Sequence, residues 1–132
     1  MTDKMIKSES EWKDELSPEA FRVLRKKGTE RAGTHDDFPK EPGVFRCAGC
    51  SAPLFEQSAK FESGTGWPSF YRPIDETAVE EHDDRSLFMK RTEIVCARCD
   101  GHLGHVFEDG PAPTGLRYCM NGVALDFESE EP

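Results

Sequence analysis

No apolar run in this 132-residue chain is long enough to cross a bilayer, and no basic-then-apolar segment marks a secretion signal. Neither end carries a lipidation motif. The expectation is a protein that neither spans nor anchors to a membrane. Positive charge is also scarce. Seventeen basic residues stand against 26 acidic ones, for a formal net charge of -9. Phosphate-backbone binding needs clustered Lys and Arg, so this composition argues against a nucleic-acid partner. The acids concentrate at Glu76–Asp84 and Glu128–Glu131, which read as solvated faces. Apolar residues are few, 36% against 33% charged, so the chain supports one modest core. We therefore expect a single domain over residues 1–132, with 1–15 a partly disordered or helical arm. A chain this polar gains from a metal staple, which contributes folding free energy directly.

Cysteine is present in an odd number, five. Without a secretion signal, an odd count points to a reducing compartment, and the cytoplasm is expected. Four of the five form two C-x-x-C hairpins, Cys47-Ala48-Gly49-Cys50 and Cys96-Ala97-Arg98-Cys99. Two such pairs supply the four thiolates of a tetrahedral Zn²⁺ site. One C-x-x-C alone could instead be a redox pair, and an iron–sulfur cluster could use the same ligands. Four thiolates close the coordination shell, so the zinc is expected to be structural. His102 and His105 follow closely and are left free for other work.

The fifth thiol stands in Arg117-Tyr118-Cys119-Met120-Asn121. Strand periodicity places Arg117, Cys119 and Asn121 on one face, with Tyr118 and Met120 in the packing. The guanidinium favours the thiolate, and the amide can donate or accept. An inert buried cysteine is the competing reading. Gly101 to Gly110 adds His102, His105, Glu108 and Asp109. A histidine there can donate a proton to a developing oxygen, with Asp109 fixing a tautomer. Two polar residues satisfied near a turn would look the same. Gly64-Thr65-Gly66-Trp67-Pro68-Ser69-Phe70 can present a rigid aromatic wall to an apolar ligand group, or bury Trp67 in the core.

Local signals give the coarse architecture. Ser8 and Glu11 form a capping-box pattern before Trp12 and Leu16. Ser17-Pro18 opens a second helix, which Gly28 is expected to end. Val44–Arg46, Leu87–Val95, Leu116–Met120 and the alternating Val123, Leu125 and Phe127 read as strands. Residues 33–43 read as loop. The fold class expected is mainly β, with N-terminal helices braced across it.

Taken in order, the motifs resemble the type B methionine sulfoxide reductases. The matching residues are Leu16-Ser17-Pro18-Glu19, Gly28-Thr29-Glu30, the two C-x-x-C pairs, Gly64-x-Gly66-Trp67-Pro68-Ser69-Phe70, Gly101-His102-Leu103-Gly104-His105-Val106-Phe107, Asp109-Gly110-Pro111, Pro113-Thr114-Gly115 and Arg117-Tyr118-Cys119-x-Asn121. The resemblance runs from about Leu16 to Phe127. It implies two antiparallel β-sheets with short N-terminal helices, stapled by zinc away from the active site. It implies reduction of peptide-bound methionine (R)-S-oxide, with Cys119 as the catalytic cysteine and a sulfenic acid intermediate. Trp67 matches the ring that packs on the substrate methyl group, and Phe107, which follows the second histidine, is expected to complete that apolar wall. His102, His105, Asp109, Arg117 and Asn121 match positions around the sulfoxide. Three departures stand out. Thr65 sits where many members carry a resolving cysteine, Gly122 where serine is frequent, and Ala32–Phe38 lacks the usual aromatic, proline-containing version. With Thr65 in place, the resolving thiol is expected from outside, from thioredoxin or glutathione with glutaredoxin, acting on a monomer. A noncatalytic zinc-stapled peptide- or protein-binding module is the alternative reading.

Overall fold

The computed structural model describes residues 5–34, 38, 40–84 and 90–130. Two short helices come first. In α1 (Glu9–Glu15) the capping box is complete: Ser8 Oγ accepts from the Glu11 N–H, and the Glu11 carboxylate accepts from the Ser8 N–H, each at 3.2 Å. In α2 (Pro18–Lys26) Ser17 Oγ accepts from the Ala20 N–H, with Pro18 in the first turn. Lys27, not Gly28, takes the left-handed conformation that ends α2, at φ 57°. Gly28 follows it and closes the end by donating its N–H to Arg22 O at 2.9 Å.

All strand pairs are antiparallel. A three-stranded sheet is ordered β2 (Pro53–Glu56), β1 (Gly43–Cys47), β9 (Leu125–Ser129). A six-stranded sheet is ordered β3 (Lys60–Phe61), β4 (Ser69–Phe70), β8 (Arg117–Met120), β7 (His102–Phe107), β6 (Arg91–Cys96), β5 (Val79–Asp84). Aromatic rings join the two. Phe45 and Phe55 come from the small sheet, Phe70 and Tyr118 from the large one. Phe55 stacks on Phe70 at 4.4 Å between centroids, and Phe45 meets Phe70 edge-on at 5.0 Å. Each fully buried ring stabilises by about 1.5–3 kcal/mol, which makes this cluster the main apolar weld between sheets. The helices brace one side, burying Trp12, Val23 and Leu24 in the same core.

Several elements differ from the sequence expectation. The strand read at Leu87–Val95 is observed as Arg91–Cys96; Leu87 to Met89 lie outside the described residues. Val123 belongs to a 3₁₀ turn, Gly122–Ala124, and the strand begins only at Leu125. The acidic run Glu76–Asp84 is not wholly a solvated face. Residues from Val79 on form the edge strand β5, and its last residue, Asp84, is buried against Arg91 and His105. Among the described residues no helix is long and apolar enough to cross a membrane.

Candidate active site

The two C-x-x-C hairpins turn alike. Each places the residue after its second cysteine in the left-handed region, Ser51 at φ 66° and Asp100 at φ 61°. Each closes a backbone hydrogen bond to its first cysteine, Ser51 N to Cys47 O at 2.8 Å and Asp100 N to Cys96 O at 2.9 Å. The hairpins follow β1 and β6, so they bring one strand end from each sheet together. All four Sγ atoms lie within 4.8 Å of one another, with Cys47–Cys99 at 3.7 Å and Cys50–Cys96 at 3.5 Å. A tetrahedron of sulfurs around one Zn²⁺ has edges of roughly 3.8 Å, so the donor set fits a single metal ion. Mutual hydrogen bonding pushes the Cys47 thiol up and holds the Cys50 thiol down. Four clustered sulfurs cannot all ionise without a cation among them. None of the four lines the cleft around Cys119.

That cleft encloses about 110 Å³. Cys119, His105, Trp67, Phe107 and Asn121 line it, together with Thr29, Arg91, Gly104 and Met120. The face expected from strand periodicity is present. Cys119 is half-buried between Tyr118 and Met120, both packed in the core. His105 stands directly opposite Cys119 in the β7–β8 ladder. Gly104 permits that approach, because a Cβ there would meet Cys119 O at 2.1 Å. Burial pushes the Cys119 thiol up, while the Arg117 charge and hydrogen bonds from Arg117 and Thr65 pull it down. The net direction is upward. Arg117 thus acts in the expected sense, and desolvation outweighs it.

His102 and His105 are three residues apart and would point to opposite faces of a regular strand. A bulge removes that alternation. Ile94 pairs with Gly104 and Val95 with His102, leaving Leu103 as the extra residue. The two imidazoles therefore stand 5.4 Å apart between centroids. His102 Nδ1 lies 2.7 Å from Glu93 Oε2, and His105 Nε2 lies 2.8 Å from Asp84 Oδ2. These acids do what Asp109 was expected to do. Asp109 is instead exposed and holds Arg117 through two hydrogen bonds, at 2.9 and 3.2 Å. Arg117 in turn lies over the Phe107 ring, 4.6 Å from its centroid. The reason is register: Phe107 pairs with Arg117, so the chain just beyond β7 runs past Arg117 rather than past the histidines. Burial pushes His102 down, against the pull of Glu93. Its Nε2 is buried with no hydrogen-bond partner among the described residues.

Trp67 is half-buried and held by its indole N–H, which donates to Glu30 O at 3.0 Å. Its loop turns at Gly66, where φ is 89° and the Gly66 carbonyl accepts from the Gly33 N–H. Glu30 is a junction that the sequence reading matched but gave no task. Its N–H donates to Asn121 Oδ1 at 3.0 Å, and its carboxylate accepts from the N–H groups of Gly122 and Val123, each at 2.9 Å. Asn121 also donates to Leu103 O at 3.0 Å, so much of its amide is engaged in holding β7 and β8 together. Glu93 and Arg91 escaped the sequence reading, and Asp84 entered it only as the end of an acidic run. Glu93 left one signal, a lone acid leading into the apolar run Ile94-Val95-Cys96.

Comparison with known proteins agrees with this arrangement. The SelR domain family model matches residues 16–129. Peptide methionine sulfoxide reductase MsrB of Methanosarcina mazei is 56% identical over 130 residues, covering 98% of this chain and 93% of that protein. The protein of the same name from Chromohalobacter salexigens is 54% identical over 133 residues, covering 99% and 100%. Among solved structures, the Mis18 "Yippee-like" domain superposes with a TM-score of 0.55 at 19% identity, covering 70% of this chain and all of that one. That likeness concerns the fold alone. The cysteine pairs, the cleft and the near-full-length identity lead to one assignment: this chain belongs to the SelR-domain family of type B peptide methionine sulfoxide reductases.

Proposed function

We propose that this chain reduces peptide-bound methionine (R)-S-oxide to methionine, with Cys119 as the nucleophile. The observation that carries this reading is a thiol in a small cleft, opposite a carboxylate-held histidine, with an indole on the wall. Trp67 and Phe107 receive the terminal methyl group. Cys119 sulfur attacks the substrate sulfur, and the sulfoxide oxygen takes up a proton as its bond order falls. His105 is placed to supply that proton, and His102 Nε2 can accept a hydrogen bond from a bridging water. Oxygen ends on Cys119 as a sulfenic acid while the substrate sulfur gains two electrons and leaves as methionine. Arg117, fixed by Asp109, supports the anionic sulfur, and Asn121 secures the strand pair beneath it.

The four-thiol cluster is assigned to one structural Zn²⁺, held by Cys47, Cys50, Cys96 and Cys99; when bound it cross-links the two sheets. No fifth ligand is needed, and no step of the reduction passes through it. Every other cysteine belongs to that cluster, so the sulfenic acid is resolved by an external thiol. The first thiol forms a mixed disulfide with Cys119 and releases water; a second thiol frees Cys119. A noncatalytic binding module would use the Trp67 wall but would leave the cysteine and the histidine–carboxylate pairs without a task.

The test uses peptides carrying each sulfoxide epimer with excess dithiothreitol. Turnover of the R epimer by wild type and none by Cys119→Ser is expected. Equal turnover by both proteins, or preference for the S epimer, would overturn the assignment. A single-turnover reaction without reductant, trapped with dimedone, should leave the adduct on Cys119 with metal retained. An intramolecular disulfide with metal release would overturn the external-thiol route.

A further inference from the structure

We propose that Ser69 is a positioning residue: with Ser63 and Thr65 it forms a hydroxyl clamp that fixes the Trp67 ring relative to the Cys119 sulfur. The proposal rests on the reading above, in which Cys119 attacks and Trp67 receives the substrate methyl group. The loop of residues 62–68 joins β3 to β4 and carries Trp67. Gly64 and Gly66 both have positive φ, 77° and 89°, so this backbone is permissive and must be held by other groups. Among the described residues, no main-chain group of the loop bonds to another within it. Its outward main-chain ties are the Gly66 carbonyl, which accepts from the Gly33 N–H at 2.6 Å, and the Pro68 carbonyl, which accepts from the Met120 N–H at 3.0 Å.

Side-chain hydroxyls do the holding inside the loop. Ser63 Oγ lies 2.9 Å from Ser69 Oγ and 2.8 Å from Thr65 Oγ1, and it accepts from the Thr65 N–H at 3.3 Å. Both main-chain groups of Trp67 end on this cluster. Its N–H donates to Thr65 Oγ1 at 3.3 Å, and its carbonyl accepts from the Ser69 hydroxyl at 3.2 Å and the Thr65 hydroxyl at 3.4 Å. The last two are long for hydroxyl bonds, so the carbonyl rests on two weak donors rather than one strong one. The protons fit in two ways, because Ser69 has one hydrogen for two acceptors. When it goes to Ser63, the Ser63 proton goes to Thr65 and the Thr65 proton to Trp67 O. When it goes to Trp67 O, Thr65 donates to Ser63. In both arrangements Trp67 O receives one hydroxyl proton, and the three hydroxyls stay linked.

The fixed end of the clamp stands beside the nucleophile. Ser69 is fully buried and lies directly opposite Cys119 in the β4–β8 ladder. The Trp67 ring is therefore located from two sides, from Ser69 through its main chain and from Glu30 O through its indole N–H. Placement matters because the substrate sulfur must meet Cys119 Sγ at bonding geometry, and a misplacement of about 1 Å can cost on the order of 100-fold in rate. A wall that receives the methyl group sets that geometry only if the wall itself cannot drift. Ser69 touches no reacting atom in this account; it acts through Trp67.

The experiment compares Ser69→Ala, which deletes the hydroxyl and little else, with Trp67→Ala and with the double variant, all metal-bound. Ser69→Ala should lower kcat/KM for an R-epimer peptide by about tenfold. The double variant should be no slower than Trp67→Ala alone, because the clamp acts only through the ring. Alkylation of Cys119 by iodoacetamide should keep its wild-type rate in Ser69→Ala, and hydrogen exchange at the Trp67 backbone amide, followed by NMR, should be faster than in wild type. Losses that multiply in the double variant, unchanged kinetics, slowed alkylation or unmoved amide exchange would each overturn the proposal. If Ser69→Ala does not fold, Ser63→Ala, which breaks the same clamp at its middle, replaces it under the same criteria. If wild type does not reduce the R epimer, the proposed reaction is refuted, and the amide exchange alone decides whether the clamp holds Trp67.

Discussion

Removing the Glu30 side chain should cost more stability than removing most core side chains, although no apolar contact is the reason. The carboxylate accepts the N–H groups of Gly122 and Val123 at 2.9 Å each, and the residue is 1% exposed. Water cannot take over those bonds. A hydrogen bond to a charged group contributes about 1.5–3 kcal/mol, so Glu30→Ala should destabilise by about 3–6 kcal/mol. Domains of this kind are stable by only about 5–15 kcal/mol, so the variant should be close to unfolding at ambient temperature. Glu30→Gln keeps one acceptor and turns an N–H toward a facing N–H, and should lose about half as much, roughly 1.5–3 kcal/mol. Urea unfolding of the metal-loaded proteins, followed by tryptophan fluorescence, measures the series. The expected order of midpoints is wild type, then Gln, then Ala, with similar slopes. Glu30→Gln should also turn over substrate more slowly under native conditions, because the Glu30 backbone anchors both Trp67 and Asn121. A Glu30→Ala midpoint equal to that of wild type would refute the reasoning.

Burial depresses His102 below its ordinary value of 6.5. The unfolded chain then binds a proton that the folded one refuses, so this contribution to stability is present above pH 6.5 and lost as pH falls. The loss should approach about 1.4 kcal/mol per pH unit relative to His102→Gln, compared by urea unfolding from pH 7 to 5; parallel curves would contradict it. Chelation of the metal, or Cys47→Ser, should abolish the cooperative transition, read by circular dichroism, rather than leave a folded inactive protein; full structure and activity after complete demetallation would contradict this. Trp67→Ala should lower kcat/KM for methionine sulfoxide by about 1–3 kcal/mol of discrimination, more than for a bulky aryl sulfoxide; unchanged kinetics with both would place Trp67 outside the pocket.

Short-range signals carried the helix caps, the two cysteine hairpins and the face shared by Arg117, Cys119 and Asn121, because caps, knuckles and strand alternation are local rules. The partners of the histidines were not legible. Glu93 and His102 meet diagonally across β6 and β7, and only the bulge at Leu103 turns His102 toward its neighbour. Nothing in Gly101 to Gly110 announces an extra residue in the ladder, so alternation would separate two side chains that the fold brings together. Asp84 was hidden for a different reason. It ends an acidic run whose composition describes solvent, while its buried carboxylate meets Arg91 on the adjacent strand β6 and His105 on β7 beyond it. Lys27 shows the limit of residue preference at helix ends: glycine was one position away, and lysine adopted the left-handed turn.

The cysteine hairpins also bear on the order in which the chain can assemble. The two sheets are separate hydrogen-bonded units, and the closest sulfur pairs between hairpins are separated by 46 and 52 positions. Bringing such distant segments together is an entropic search that slows folding before any native contact compensates it. A metal ion captured first by one hairpin and then by the other would convert that search into a single clamped loop. The strand bearing Cys119 and the strand β9, which lies beside β1, both follow the second hairpin in the chain. Folding rate should therefore rise with free metal concentration, and the segment that carries the chemistry should dock onto a platform that the clamp has already closed.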